Sequence, residues 1–182
     1  MDYVNTHRDV IEACRRGERK AQFELYKLYA KAMYNTCLRM LRNEVDAEDI
    51  LQNSFVDVFT HLDSFQHQSS IGAWIKRIVV NNCINFLKKK KLFFEELNYN
   101  HWQEVDEQET DYSTQINYQV QSIQKAMAEL PDGYRVVCTL YLIEGYDHKE
   151  IGSILGISEA TSKSQYSRAK KKLRAKLLQI ER

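Results

Sequence analysis

Apolar residues in this chain recur every third or fourth position, block after block, which is the spacing of one buried face on a helix. Ala21, Phe23, Leu25, Tyr26, Leu28, Tyr29 and Met33 mark the first strong block, and Cys37, Leu38 and Leu41 continue it. A charged turn is expected over Arg42–Asp46. The next helix, Ala47–Leu62, carries Ile50, Leu51, Phe55, Val58, Phe59 and Leu62 on its apolar side. A polar loop, Ser64–Ser70, leads to a helix whose expected buried stripe is Ile71, Trp74, Ile75, Ile78, Val79 and Leu87. Val120, Ile123, Met127 and Leu130 begin a later block, Pro131–Gly133 reads as a turn, and Val136, Val137, Leu140 and Tyr141 form another helix.

The last block reads as two helices and a tight turn. Asp147 and Glu150 have the spacing of a capping box, flanked by Tyr146 and Ile151 as a hydrophobic staple. Ile151, Ile154 and Leu155 repeat at helical spacing. Gly156 suits a left-handed helix end, and Ser158 suits the N-cap of the next helix. In that helix Tyr166, Ala169, Leu173 and Leu177 make the inner stripe. The outer side is basic: Lys163 to Lys176 holds seven Lys or Arg and no acid. A helix–turn–helix places such a helix in the DNA major groove, beside the phosphates. A solvated surface helix, or one lying on a membrane surface, has the same charge pattern without the cap and turn.

One proline and six glycines in 182 residues leave little material for hairpins, so the fold class is all-α. Charge divides the chain. Residues 1–91 carry net +4, residues 92–124 carry −7 with no Lys or Arg, and residues 125–182 carry +4, which together give the chain's +1. The expected organisation is two small helical domains, 1–92 and 119–182, joined by an acidic linker, 93–118.

Between Ser64 and Phe94 there is no acidic residue, while Trp74, Lys76, Arg77, Asn81, Asn82, Asn85, Phe86 and the Lys88–Lys91 run are available to a partner. Rings, amides and cations without carboxylates are suited to an unpaired nucleic-acid strand. Core aromatics with a solvated lysine tail account for the same composition.

Other classes find less support. The five histidines show no metal-ligand spacing, and there is no glycine-rich phosphate loop or nucleophile motif, so no catalytic residue, metal or cofactor is expected. Cys14, Cys37, Cys83 and Cys138 lie far apart in sequence and are expected as buried free thiols in a reducing compartment. No apolar run is long enough to cross a bilayer and no signal-peptide core precedes the first block, so a cytoplasmic protein without membrane insertion is expected.

Four segments carry a resemblance: DAEDILQNSFVDVF, SSIGAWIKRIVVNNCINFLKKKK, ELPDGYRVV and HKEIGSILGISEATSKSQYSRAKKKL. In order and spacing they resemble the extracytoplasmic-function (ECF) sigma factors, small two-domain bacterial sigma factors, from Ala21 to Leu177. The resemblance implies a promoter-specificity subunit of RNA polymerase rather than an enzyme. It implies that Asp46, Asp49, Gln52 and Asn53 face a coiled coil of the core polymerase's largest subunit, Asn53 standing where the family commonly has an acid. It implies that Ser69, Ser70, Trp74, Lys76, Arg77, Asn81, Asn82, Asn85 and Lys88 meet the melted −10 element and a flipped base. Val80 replaces a common Arg and Asn85 a common Asp, which implies a −10 preference of its own. Ser158, Thr161, Lys163, Ser164, Ser167, Arg168, Lys171 and Lys172 are implied as −35 contacts.

The same resemblance routes the acidic linker near the polymerase's RNA exit path, as a mimic of RNA; keeping a linker soluble is the plainer use of those charges. It also implies an anti-sigma factor as partner, of the membrane-bound kind. The competing function is a stand-alone helix–turn–helix regulator, which would have no need of the Ser64–Lys91 segment.

Overall fold

The computed structural model describes residues 7–90 and 120–180, and every regular element there is helical. The chain forms two compact units, Met1–Lys89 and Lys90–Arg182. The expected acidic linker, 93–118, lies outside the described residues.

The first unit opens with α1 (Arg8–Arg15), which the apolar spacing did not announce. Only Ile11 and Cys14 of this helix are buried, too few for a periodic signal. α2 (Arg19–Leu41) runs unbroken beneath the rest of the unit and packs on α1, α3 and α4. The expected turn Arg42–Asp46 is shorter than the charges suggested. Arg42 takes the left-handed conformation (φ 59), and Asn43 caps α3 (Glu44–Thr60) by accepting a hydrogen bond from the Asp46 N–H at 2.9 Å. That cap draws Glu44 to Asp46 into the helix, where acids suit the N-terminal dipole. At its other end α3 stops at Thr60, and Leu62–Ser64 form a single 3-10 turn instead of a helical continuation.

α4 (Ile71–Lys89) begins where the Ser70 hydroxyl accepts from the Ala73 N–H. Its buried face is Ile71, Ile75, Val79, Val80, Cys83, Ile84 and Leu87. Trp74 and Ile78, expected in that stripe, sit only half-buried at its edge. Val80, Cys83 and Ile84 complete the face instead, so Val80, the residue standing where the resemblance places an Arg, is a core residue here.

In the second unit, α5 (Val120–Ala128) leads into α6 (Asp132–Cys138), a π-turn (Thr139–Ile143), α7 (His148–Leu155) and α8 (Glu159–Ile180). α8 packs against α5, α6 and α7. Met127, Leu130, Cys138 and Ala169 form the centre, with Ile123, Tyr134, Tyr166 and Leu173 against it. Val120 lies off this core, 69% exposed, despite sharing the α5 spacing. Pro131–Gly133 is not a free-standing turn: Pro131 caps α6 with a φ of −51, and Asp132 and Gly133 start the helix. Among the described residues Arg135 is the one charged side chain that is buried, 2% exposed. It donates to the Leu130 carbonyl at 3.0 Å and pairs with Asp132. A guanidinium buried to this degree needs such partners. The four cysteines are free and buried, and burial pushes the Cys138 thiol up to about 11.

Candidate polymerase and nucleic-acid interfaces

The helix–turn–helix is built locally. The capping box of α7 is present in both directions: Asp147 accepts from the Glu150 N–H, and Glu150 accepts from the Asp147 N–H, each at 2.8 Å. Such a cap stabilises the helix start by about 1 kcal/mol. Gly156 ends α7 at φ 75, a conformation that strains any residue with a Cβ. The Gly152 carbonyl accepts from the N–H groups of both Gly156 and Ile157, at 2.9 and 3.0 Å. Ser158 then caps α8, its hydroxyl accepting from the Thr161 N–H at 3.0 Å and lying 2.8 Å from the Thr161 hydroxyl.

The two hydroxyls proposed from sequence at the start of this helix are therefore engaged with each other. Ser158 acts as a cap, and Thr161 is half-buried beside it. Lys163, Ser164, Ser167 and Lys171 are exposed at helical spacing and form one outward stripe, which Arg174 extends. Arg168 is half-buried. Lys172 turns back over the Tyr134 ring, 5.5 Å from its centroid, so part of its charge is spent on the domain's own surface. Lys163 is paired with Glu159, one turn earlier, at 2.8 Å. The hydrogen bond and charge of Glu159 raise the pKa of Lys163, keeping it protonated.

His148, near the start of α7, locks this helix pair. It stacks on Tyr141 with centroids 4.4 Å apart, and its Nδ1 meets the Ser162 hydroxyl of α8 at 3.0 Å. Desolvation, then the charge of Lys163, lowers its pKa, against the smaller opposing pull of Glu159 and Asp147. Beside it, Tyr141, Leu142 and Ile143 stand exposed on the π-turn, an apolar surface that helical periodicity hides because the π-turn breaks the phase.

In the first unit the loop before α4 is held by α1. Arg15 donates to the Phe65 carbonyl at 2.6 Å and reaches the Leu62 carbonyl at 3.4 Å. Phe65 packs on Trp74, 5.5 Å between centroids, so that ring is partly committed to the core. Ser70 is occupied as the helix cap, and Ser69 is exposed beside it. On α4, Arg77, Asn81 and Asn85 stand exposed four residues apart, with Lys88 half-buried at the end of the stripe. Lys76 is half-buried to one side.

Asn82 departs from the expected set. Its amide donates to Asp57 Oδ2 at 2.8 Å and to Ser54 Oγ at 3.1 Å, so both N–H groups point into α3. On α3 itself, Asp49, Gln52 and Asn53 are exposed and Asp46 is half-buried. Val45 and Val56 share their face at 68% and 62% exposure. These valines are out of phase with the buried stripe, which was the signal available in the sequence.

Comparison with known proteins fits this layout. The Sigma-70 region 2 family matches residues 25–93, and the Sigma-70 region 4 family matches residues 120–173. The ECF RNA polymerase sigma factor SigW of Bacillus subtilis is 32% identical over 183 residues, spanning 92% of this chain and 94% of its own. SigM of the same organism is 31% identical over 162 residues, spanning 84% and 92%. Among solved structures, the sigma factor RpoE from Bartonella quintana, in complex with the anti-sigma factor NepR, has the same fold. Its TM-score is 0.56 at 22% identity, over 87% of this chain and 97% of that one. CnrH, in complex with the cytosolic domain of CnrY, gives 0.55 at 21%, over 96% and 98%.

Two helical units, one carrying an acid-free stripe and the other a helix–turn–helix, define a sigma-type promoter-binding protein. The chain belongs to the ECF sigma factors, the RNA polymerase subunits that direct promoter-specific transcription initiation. Their role is regulatory rather than catalytic. No described helix is long and apolar enough to cross a membrane.

Proposed function

We propose that the exposed face of α3 docks on core RNA polymerase through Asp49 and Gln52, flanked by Asp46 and Asn53 and bordered by Val45 and Val56. The α4 stripe of Arg77, Asn81, Asn85 and Lys88 holds the melted −10 strand, with Trp74 and Ser69 at its entry. The α8 stripe of Lys163, Ser164, Ser167 and Lys171 reads the −35 duplex. Residues 93–118 connect the two and pass near the RNA path. The protein works in the cytoplasm, and an anti-sigma factor holds it in reserve, as RpoE is seen in complex with the anti-sigma factor NepR.

The carrying observation is that one chain has two outward polar stripes, the α4 one free of carboxylates and the α8 one bordered by Glu159 alone, each on a helix whose opposite face is core. Amides and one guanidinium suit unstacked bases, whereas hydroxyls and amines suit groove edges and phosphates. The test is reconstitution with core polymerase. Asp49→Lys should weaken holoenzyme assembly without unfolding the chain, since exposed substitutions change stability little. Asn81→Ala with Asn85→Ala should leave assembly intact and slow promoter opening. Unchanged opening by that pair would remove the −10 assignment.

A further inference from the structure

The contact between α3 and α4 is mostly apolar, and apolar contact is not directional. Val79, Val80, Cys83 and Ile84 would hold α4 against its neighbours over a range of small rotations. One polar device removes that freedom. Asn82 donates to Asp57 at 2.8 Å and to Ser54 at 3.1 Å, two acceptors almost one turn apart on α3. Ser54, fully buried, donates its own O–H to the Ile50 carbonyl at 2.7 Å. Two bonds from one amide to two points on a neighbouring helix fix both rotation and axial position.

Asn82 is the residue directly after Asn81, so the rotation it fixes is the rotation of the outward stripe. Asp57 shares α3 with Asp49 and Gln52, five residues beyond Gln52, yet is half-buried on the side toward α4. We infer that Asp57 is a positioning residue for promoter opening: through Asn82 it sets the angle at which α4 presents Arg77, Asn81 and Asn85 to the −10 strand while α3 is held by polymerase. Hydrogen bonds to a carboxylate are shorter and stronger than neutral ones, which suits an anchor of this kind. The inference rests on the proposed assignment of the α3 and α4 faces.

The experiment uses full-length protein assembled with core polymerase. Asp57→Ala and Asn82→Ala are expected to keep wild-type affinity for core. They should open a linear duplex promoter about tenfold more slowly, because a misplacement of an ångström or less is costly at an aligned site. Both should also broaden base preference across a randomised −10 library, an effect that loss of stability alone does not produce. The double variant should be no worse than Asn82→Ala alone, since that variant already removes the contact with Asp57.

Asn82→Asp places a second carboxylate beside Asp57 and should impair opening. The exchange Asp57→Asn with Asn82→Asp restores a donor–acceptor pair in reversed polarity and should recover it, whether or not the alanine variants fold well. Unaltered −10 preference in the single variants, additive losses, or no recovery by the exchange would overturn the inference. Arg77→Ala with Asn81→Ala separates the two claims. If that pair opens duplex DNA normally, the reading of the α4 face fails; if it is impaired while the Asp57 and Asn82 variants are not, only the positioning role fails.

Discussion

Gly152→Ala sets two opposite effects against each other. Alanine is the best helix former, and replacing an interior glycine ordinarily gains about 1 kcal/mol. At this position the new Cβ would lie 2.8 Å from the Ile157 carbonyl oxygen, with the Glu159 nitrogen and Ser158 carbonyl carbon at 3.4 and 3.5 Å. All three are backbone atoms of the turn or of the first residue of α8, so no side chain can swing aside. The turn must move by several tenths of an ångström, and it is held by the two hydrogen bonds to the Gly152 carbonyl. Overpacking of this kind costs about 1–3 kcal/mol, and rigid backbone belongs at the upper end. The net expectation is a loss of about 1–2 kcal/mol, confined to the second unit. For a domain of that size this lowers the melting temperature by roughly 5–15 °C. Calorimetry of the full chain, with hydrogen exchange resolving α7 and α8 amides from those of α2–α4, measures it. −35 binding should weaken in parallel. A variant with unchanged or raised stability would refute the close-approach argument and leave helix propensity as the stronger effect.

Arg135→Met should destabilise the second unit by about 2–3 kcal/mol, because the Leu130 carbonyl and Asp132 lose their buried partner while methionine recovers only packing; urea unfolding measures this. His148 favours its neutral form in the folded chain, so its contribution to stability is full above pH about 6.5 and declines as pH falls below the ordinary histidine value. His148→Gln should flatten that decline between pH 7 and 5, and an unchanged slope would exclude His148 as its source. Glu159→Gln releases Lys163 from its pair and removes an acid beside the −35 stripe. It should raise −35 affinity and steepen its salt dependence by about one counterion, and reduced affinity would assign Glu159 a contact of its own. Lys163→Ala should change which −35 sequences are used, whereas Lys171→Ala should weaken all promoters about equally; a randomised −35 library distinguishes them, and identical profiles would end the distinction.

The sequence made the longer elements readable because their buried faces are long and regular. α2 and α8 span six turns each, and the caps of α7 and α8 use the side chains that the helix start requires. α1 escaped notice because two buried positions do not make a period. α3 starts early because Asn43, not the surrounding charge, decides the cap. At the candidate interfaces, composition marked whole segments but could not separate an outward amide from an inward one. Asn81, Asn82 and Asn85 look alike in sequence. Only the position of Asp57 and Ser54 across the helix interface turns Asn82 inward. Likewise Ser158 and Thr161 satisfy the helix start before they can meet DNA, and Lys172 is drawn to a ring from α6.

The decisive measurement for a two-element sigma factor is transcription with purified core RNA polymerase, with and without this protein, on a library randomised at both promoter elements. Initiation should depend on the protein and select one −10 and one −35 sequence. Asn81→Ala should shift only the first preference and Lys163→Ala only the second. Initiation without sequence selection, or selective duplex binding by the protein alone with no effect on core polymerase, would contradict the two-element assignment.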